Sequence, residues 1–215
     1  MTMHPATARG ERTRARLLAA AETVFAAHGY ADASITRITD AAGVGQGTFY
    51  LYFASKLEIF EELVDDLNRR VRHAMTEAGE GARDRLEAER AGFRAFFRFT
   101  AEHPALYRVV REAELVSPRA LRSHYTRIVE GYISALSAAR AAGEVGDVDP
   151  TVAAWALMGI GEMIGMRWVL WGDGVAGDDA DPMASGTSQV PDEVFDQMMR
   201  FIEGALRPRG EGEER

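Results

Sequence analysis

The 215-residue chain has no cysteine, which excludes disulfides, thiolate metal sites and a cysteine nucleophile together and fits a reducing cytoplasm. Lysine is almost as scarce: Lys56 is the only one, and every other cationic side chain is an arginine. Residues 1–10 lack the apolar core of a secretory signal, and the longest apolar stretch, 152–171, is interrupted by Glu162 and Arg167, which argues against a membrane partner. No Walker loop, His-Glu-x-x-His or Gly-x-Ser-x-Gly occurs, so the usual motifs of phosphoryl transfer, zinc proteolysis and serine hydrolysis are missing. The histidines, His4, His28, His73, His103 and His124, are scattered, and none stands three residues after a glutamate, as helical di-iron sites require. The run 172–177, GDGVAG, satisfies G-x-G-x-x-G literally, but it follows a helical pattern and leads into Asp178, Asp179 and Asp181. Those carboxylates would repel a pyrophosphate, so the run reads as a loop. The expectation is a soluble, cytoplasmic, non-enzymatic protein without a cofactor or a bound metal.

What is present is unevenly distributed. The formal net charge is −8, which at first sight disfavours a nucleic-acid partner, since affinity for DNA depends on neutralised phosphates. Residues 1–60, however, set Arg9, Arg12, Arg14, Arg16, Arg37 and Lys56 against Glu11, Glu22, Asp32, Asp40 and Glu58, a net of +1 that leaves −9 for the remainder. A small basic head is joined to an acidic body.

Strand patterns are few and apolar residues recur at three-to-four spacing, so the chain reads as all-α, with about nine helices. Leu17, Leu18, Ala21, Val24 and Phe25 form one face, stopped at Gly29. Ser34 caps a short helix with Ile35, Ile38 and Ala42 on its apolar side, ended by Gly43. A third helix is expected from Gln46 to Tyr52, and Ser55 opens a long one with Leu57, Phe60, Leu63, Val64 and Leu67 as its stripe. Further helices are expected over 84–102, 104–114, 118–142, 150–171 and 191–206, two of them announced by Ser117-Pro118 and Asp149-Pro150. The domains expected from this are 9–54, 55–207 and a mobile tail at 208–215.

Two short helices joined by Gly43-Val44-Gly45 form a helix-turn-helix pattern, in which the second helix is offered to the DNA major groove. Phe49 and Phe53, four apart, face inward, and Thr48, Tyr50 and Tyr52 point elsewhere. Gly45 and Gly47 leave the start of that helix bare toward a phosphate, and Gln46 suits the edge of an adenine. Lys56 falls in the first turn of the next helix, where a cation opposes the helix dipole and an external anion would remove the conflict.

The run SITRITDAAGVGQGTFYLYFASKLEIF resembles the DNA-binding signature of the TetR/AcrR family of bacterial transcriptional regulators, with Gly45 where the family commonly has a serine. The resemblance implies phosphate contacts from Tyr50, Tyr52 and Lys56, and base or phosphate contacts from Thr36, Arg37, Gln46, Gly47 and Thr48. It also implies a helical body that binds a small hydrophobic effector and forms a homodimer on a double-stranded DNA operator, acting as a repressor. For the dimer contact the candidates are Gly161, Gly165, Trp168, Val194, Phe195, Met198, Phe201 and Ile202; their plain alternative is the protomer's own core. For the effector pocket they are Phe93, Phe97, Tyr107, Arg108, Arg111, Tyr125, Tyr132, Trp155, Met158, Glu162 and Met166, again against plain core packing. Residues 107–116 are similar to a subgroup that senses fatty acyl thioesters, although aromatic acids or hydrophobic drugs would suit such a pocket nearly as well. A helical interaction module without DNA binding is the alternative, and it leaves Tyr50, Tyr52 and Lys56 without a role.

Overall fold

A computed structural model describes residues 7–171 and 189–208. The run 172–177, the three aspartates that follow it and all of the expected tail after Pro208 lie outside the described residues. Among the described residues the chain is all-helical, and no helix is long and apolar enough to cross a membrane.

Most of the helices begin where the sequence offers a side-chain acceptor for their unpaired N–H groups; the three that start at Gly45, Pro104 and Pro191 do so without one. Helix α1, Ala8–Asp32, is capped by Thr7. Helix α2, Ile35–Ala42, is capped by Ser34, which accepts the Arg37 N–H at 3.2 Å. The third helix, α3, is one turn, Gln46–Phe49, rather than the seven residues expected. Gly47 raises the entropic cost of this helix, and beyond it come the tighter bonds Leu51 N–H to Thr48 O (3.2 Å) and Tyr52 N–H to Phe49 O (2.9 Å). Helix α4, Lys56–Gly79, opens on a capping box: Ser55 Oγ accepts the Glu58 N–H at 3.1 Å, and Glu58 reaches back to the Ala54 N–H. Asp84 caps α5, Arg85–Glu102, and α6, Ala105–Val116, and α7, Pro118–Ala141, follow. Asp149 accepts the Thr151 and Val152 N–H groups at 2.8 and 3.0 Å to start α8, Pro150–Gly165, which runs into a π-helical turn, Met166–Leu170. Helix α9 is Asp192–Leu206.

The chain divides into two compact units. The first is Met1–Arg69 with Pro104–His124, and the second is Arg70–His103 with Tyr125–Arg215. The first half of α4 and all of α6 therefore group with the N-terminal helices, not with the residues after 55. The physical reason is burial. Phe60 of α4 is fully buried edge-on to Phe25 of α1, ring centroids 5.3 Å apart, and Val109 and Ala113 of α6 are fully buried in the same unit. Each such large side chain removed from water contributes about 1.5–3 kcal/mol. Of the stripe expected on α4, Phe60, Leu63, Val64 and Leu67 are fully buried; Ile59 joins them, whereas Leu57 keeps 38% of its surface exposed.

Within the first unit, α1 breaks at Gly29, whose φ of 68° and ψ of 176° fall outside helix. Side chains of α6 fill the space beside it, and a Cβ there would lie 2.4 Å from Glu112 Oε1. The second unit has its own core of Phe93, Phe97, Leu136, Leu157, Phe195 and Met199. Helix α5 approaches α8 closely at Gly161, where a Cβ would stand 2.9 Å from Cε1 of the buried Phe93 ring. Gly161→Ala is therefore expected to destabilise the protein by about 1–3 kcal/mol; a urea midpoint equal to that of wild type would contradict this packing.

Candidate nucleic-acid interface

The end of α2 is built to turn sharply. Gly43 is left-handed at φ 62° and ψ 42°. Its N–H donates to Asp40 O at 3.1 Å and the Val44 N–H donates to Thr39 O at 3.0 Å, which satisfies the last carbonyls of the helix. The Arg16 guanidinium of α1 donates to Ala42 O and, at 3.3 Å, to Gly43 O, fastening the turn to α1. Phe49 and Phe53 are fully buried, with ring centroids 5.6 Å apart, so the inner side of α3 is held by the core as expected.

Its outer side is open. Gln46 and Gly47 are exposed, Thr48 and Tyr52 are half-buried, and Tyr50 keeps 53% of its surface in solvent with its ring edge-on to Phe49. Gly45 and Gly47 have empty space where a Cβ would stand. Thr36 and Arg37 are exposed on the first turn of α2. The structure joins the two helices there: Gln46 Nε2 donates to Thr36 Oγ1 at 2.8 Å, and an Arg37 guanidinium nitrogen lies 3.5 Å from His28 Nε2. Thr36 and Gln46 thus meet at one place, with Arg37 next to Thr36 in the chain. An amide, a hydroxyl, a guanidinium and a phenol displayed around one short helix are the groups that read base edges and hold phosphates.

Lys56 is placed differently from expectation. Its ammonium donates to Tyr30 O at 2.7 Å and Ala33 O at 2.8 Å, with Ala31 O at 3.4 Å, and lies 4.4 Å from the centre of the Tyr30 ring. The conflict with the α4 dipole is relieved from inside, by carbonyls at the negative end of α1.

Residues 17–63 match the family profile described as bacterial regulatory proteins, tetR family. These residues are a TetR-family segment. The head of the chain is 47% identical over 64 residues to the HTH-type transcriptional regulator YdgC of Bacillus subtilis, a stretch that covers 30% of this chain and 33% of that protein. The chain is 38% identical over 113 residues to the HTH-type transcriptional activator FasR of Mycolicibacterium smegmatis, covering 51% of this chain and 49% of that one. The chain thus spans from a third to a half of the lengths of these two relatives. The fold is shared over 91% of this chain and 97% of the fatty acid degradation regulator FadR from Bacillus halodurans, with a TM-score of 0.68 at 23% identity.

The second unit carries an open groove of about 470 Å³, bordered by Arg72, Met75, Arg85, Glu89, Ile128 and Tyr132 among others. Of the residues expected to form a pocket, only Tyr132 borders it. Tyr107, Arg108 and Arg111 belong to the first unit, where Tyr107 is buried, Arg111 is exposed and Arg108 donates to Ala26 O at 2.8 Å. Phe93 and Phe97 are core. Tyr125 donates its hydroxyl to Glu162 Oε1 at 2.9 Å and lies beside the half-exposed Trp155, while Met158 and Met166 are half-buried. The groove residues Arg85 and Glu89, i and i+4 on α5, form an ion pair that sequence reasoning passed over because such pairs usually lie in solvent. Here Glu89 is almost fully buried, and burial raises its pKa while Arg85 opposes the rise. Burial also pushes the Tyr132 hydroxyl well up, with the Glu89 charge adding to it.

The expected dimer residues separate in the same way. Gly161, Gly165, Phe195, Met198 and Ile202 are buried within the protomer. Their close approach and apolar side chains serve its own core. Trp168, Val194 and Phe201 remain accessible, Phe201 at 70%, and with Met163 they border an apolar depression of about 670 Å³ between α8, the π turn and α9.

Two outcomes are expected. Lys56→Met should lower stability by about 1–3 kcal/mol, the scale of hydrogen bonds from a charged donor; an unchanged melting midpoint would return Lys56 to an external role. Glu89 is protonated more readily in the folded than in the unfolded chain. The stability it contributes is present below the ordinary carboxylate pKa and is lost as pH rises through its raised one. Glu89→Gln keeps an acceptor for Arg85, so the difference in urea midpoint between variant and wild type should grow across that window. A constant difference would show that Glu89 does not titrate with folding.

Proposed function

We propose that the protein is a sequence-specific DNA-binding transcriptional regulator. The observation that carries this reading is the outward set on one short, core-anchored helix and its neighbour: Gln46 bonded to Thr36, with Arg37, Gly47, Thr48 and Tyr50 accessible around them. Gln46 supplies base-edge recognition, and Tyr50 and Tyr52 hold phosphate oxygens.

Two protomers dock through the apolar depression bordered by Phe201, Met163 and Trp168, and the operator is correspondingly a near-palindrome with half-sites about one DNA turn, ~34 Å, apart. The second-unit groove takes the effector. Met75, Ala88 and Ile128 give it apolar edges and Arg72 and Arg127 bring positive charge to it, which suits a fatty acyl thioester or another amphiphilic anion, and the FadR likeness agrees with this. Effector binding relieves repression through a coupling free energy of about 1–3 kcal/mol. Helix α4, continuous from Lys56 to Gly79, carries residues of both units and is the lever. No catalytic step belongs to this reading.

Selection of duplexes from a random pool tests it. Wild type should recover a palindromic motif. Tyr50→Phe should weaken binding to all variants of that motif alike, whereas Gln46→Ala should cost about 1–3 kcal/mol at one base pair in each half-site and relax preference there. Absence of any enriched motif with a folded protein would move the function to the interaction-module reading.

A further inference from the structure

Resting on that DNA-binding reading, the charge balance of the head raises a further question: which cations neutralise the phosphates. Six cationic side chains lie in residues 1–60; three are engaged within the protein, and the exposed Arg37 belongs to the reading set around Gln46. Arg14 pairs with Glu62 and covers the Phe53 ring. Arg16 donates to the carbonyls of Ala42 and Gly43. Lys56 donates to the carbonyls of Tyr30 and Ala33, and Arg37 stands beside His28. Arg9 and Arg12 are left. Both are exposed, and among the described residues neither guanidinium has a hydrogen bond or an ion pair. Thr13, between them and Arg16, turns its hydroxyl back to Arg9 O at 3.0 Å.

Their position on α1 gives these two charges a direction. Arg9, Arg12 and Arg16 are spaced i, i+3 and i+7, so they share one face of the helix, while Glu11 lies off it. The Arg16 end of that face touches the turn between α2 and α3. From there the stripe continues toward the N-terminus for seven residues, roughly 10 Å at the helical rise. The basic face is therefore continuous with the reading head and extends past it.

We infer that Arg9 and Arg12 form a second phosphate-binding surface, which grips the DNA backbone beside the half-site read by α3 without reading its sequence. Arginine suits this task, since its planar fork binds phosphate oxygens in pairs. The stripe lengthens the footprint and adds its own share to the salt dependence of binding.

The test uses the full-length protein and a duplex that carries the selected motif with ten flanking base pairs on each side, with a second duplex trimmed to the motif. Affinity is measured against salt concentration. The double variant Arg9→Gln, Arg12→Gln should keep the wild-type base preference, helicity and melting midpoint on the long duplex. The slope of log affinity against log salt should flatten by about 1.8 per head, ~0.9 for each lost phosphate contact. Arg9→Lys, Arg12→Lys should restore the slope, and the trimmed duplex should erase the difference between variant and wild type. Arg98→Gln, Arg200→Gln, which removes the same charge from exposed positions of the second unit, should leave the slope unchanged. An unaltered slope in the Arg9, Arg12 variant, or equal flattening in the control, overturns this inference and leaves DNA binding intact. A wild type that binds neither duplex at any salt overturns the DNA reading and this inference with it.

Discussion

The head depends on how α1 ends. Gly29 takes a left-handed φ that breaks the helix, and the groups exposed by the break are met by charged side chains from distant parts of the chain. Glu112 accepts the Tyr30 N–H at 2.7 Å, Arg108 donates to Ala26 O at 2.8 Å, and Lys56 donates to Tyr30 O and Ala33 O. Each pairs a full charge with a backbone dipole in a half-buried setting, where such bonds are stronger than neutral ones. With α1 stopped there, Ser34 can cap α2. Arg16, thirteen residues before the break, reaches the far end of α2 at Ala42 and Gly43. The helix-turn-helix is held at both ends from α1.

That arrangement reassigns the positive charge of the head. A cation near a DNA-binding motif is easily taken for a phosphate ligand, and Lys56 has the position for it in the sequence. The carbonyls at the end of α1 are nearer partners. What remains for an external anion is decided by subtraction, and the internal contacts of Arg14, Arg16 and Lys56, each crossing more than twenty residues, do most of the subtracting. The acidic balance of the rest of the chain, −9 against +1, sharpens the point, because few cations are left to meet a phosphate.

The second unit shows the same competition between uses. Gly161 and the apolar face of α9 have the composition of a helix–helix contact, and a contact is what they make, but largely inside one protomer. Close approach of α5 at Gly161 allows Phe93 to be buried, and Phe195, Met198 and Ile202 complete that core. Only the outer edge, with Phe201, Met163 and Trp168, is left for a partner. Glu89 likewise looks like half of a surface i, i+4 pair and is instead enclosed with Tyr132.

The amino-acid sequence by itself determined the helices, their caps and the helix-turn-helix, because those features rest on interactions within a few residues: Ser34 with Arg37, Asp84 with Glu87, Asp149 with Val152, Gly43 with Asp40. It also determined which residues of α3 and the turn after it face inward, since Phe49 and Phe53 are four apart. Only the tertiary structure decided that α4 begins in the first unit, that α3 stops after one turn, and that Lys56 is engaged internally. It alone also decided that Arg108 serves α1 and that Glu89 is buried. In each of those cases the partner lies far away in the chain, and periodicity carries no record of which distant carbonyl or carboxylate a long side chain will meet.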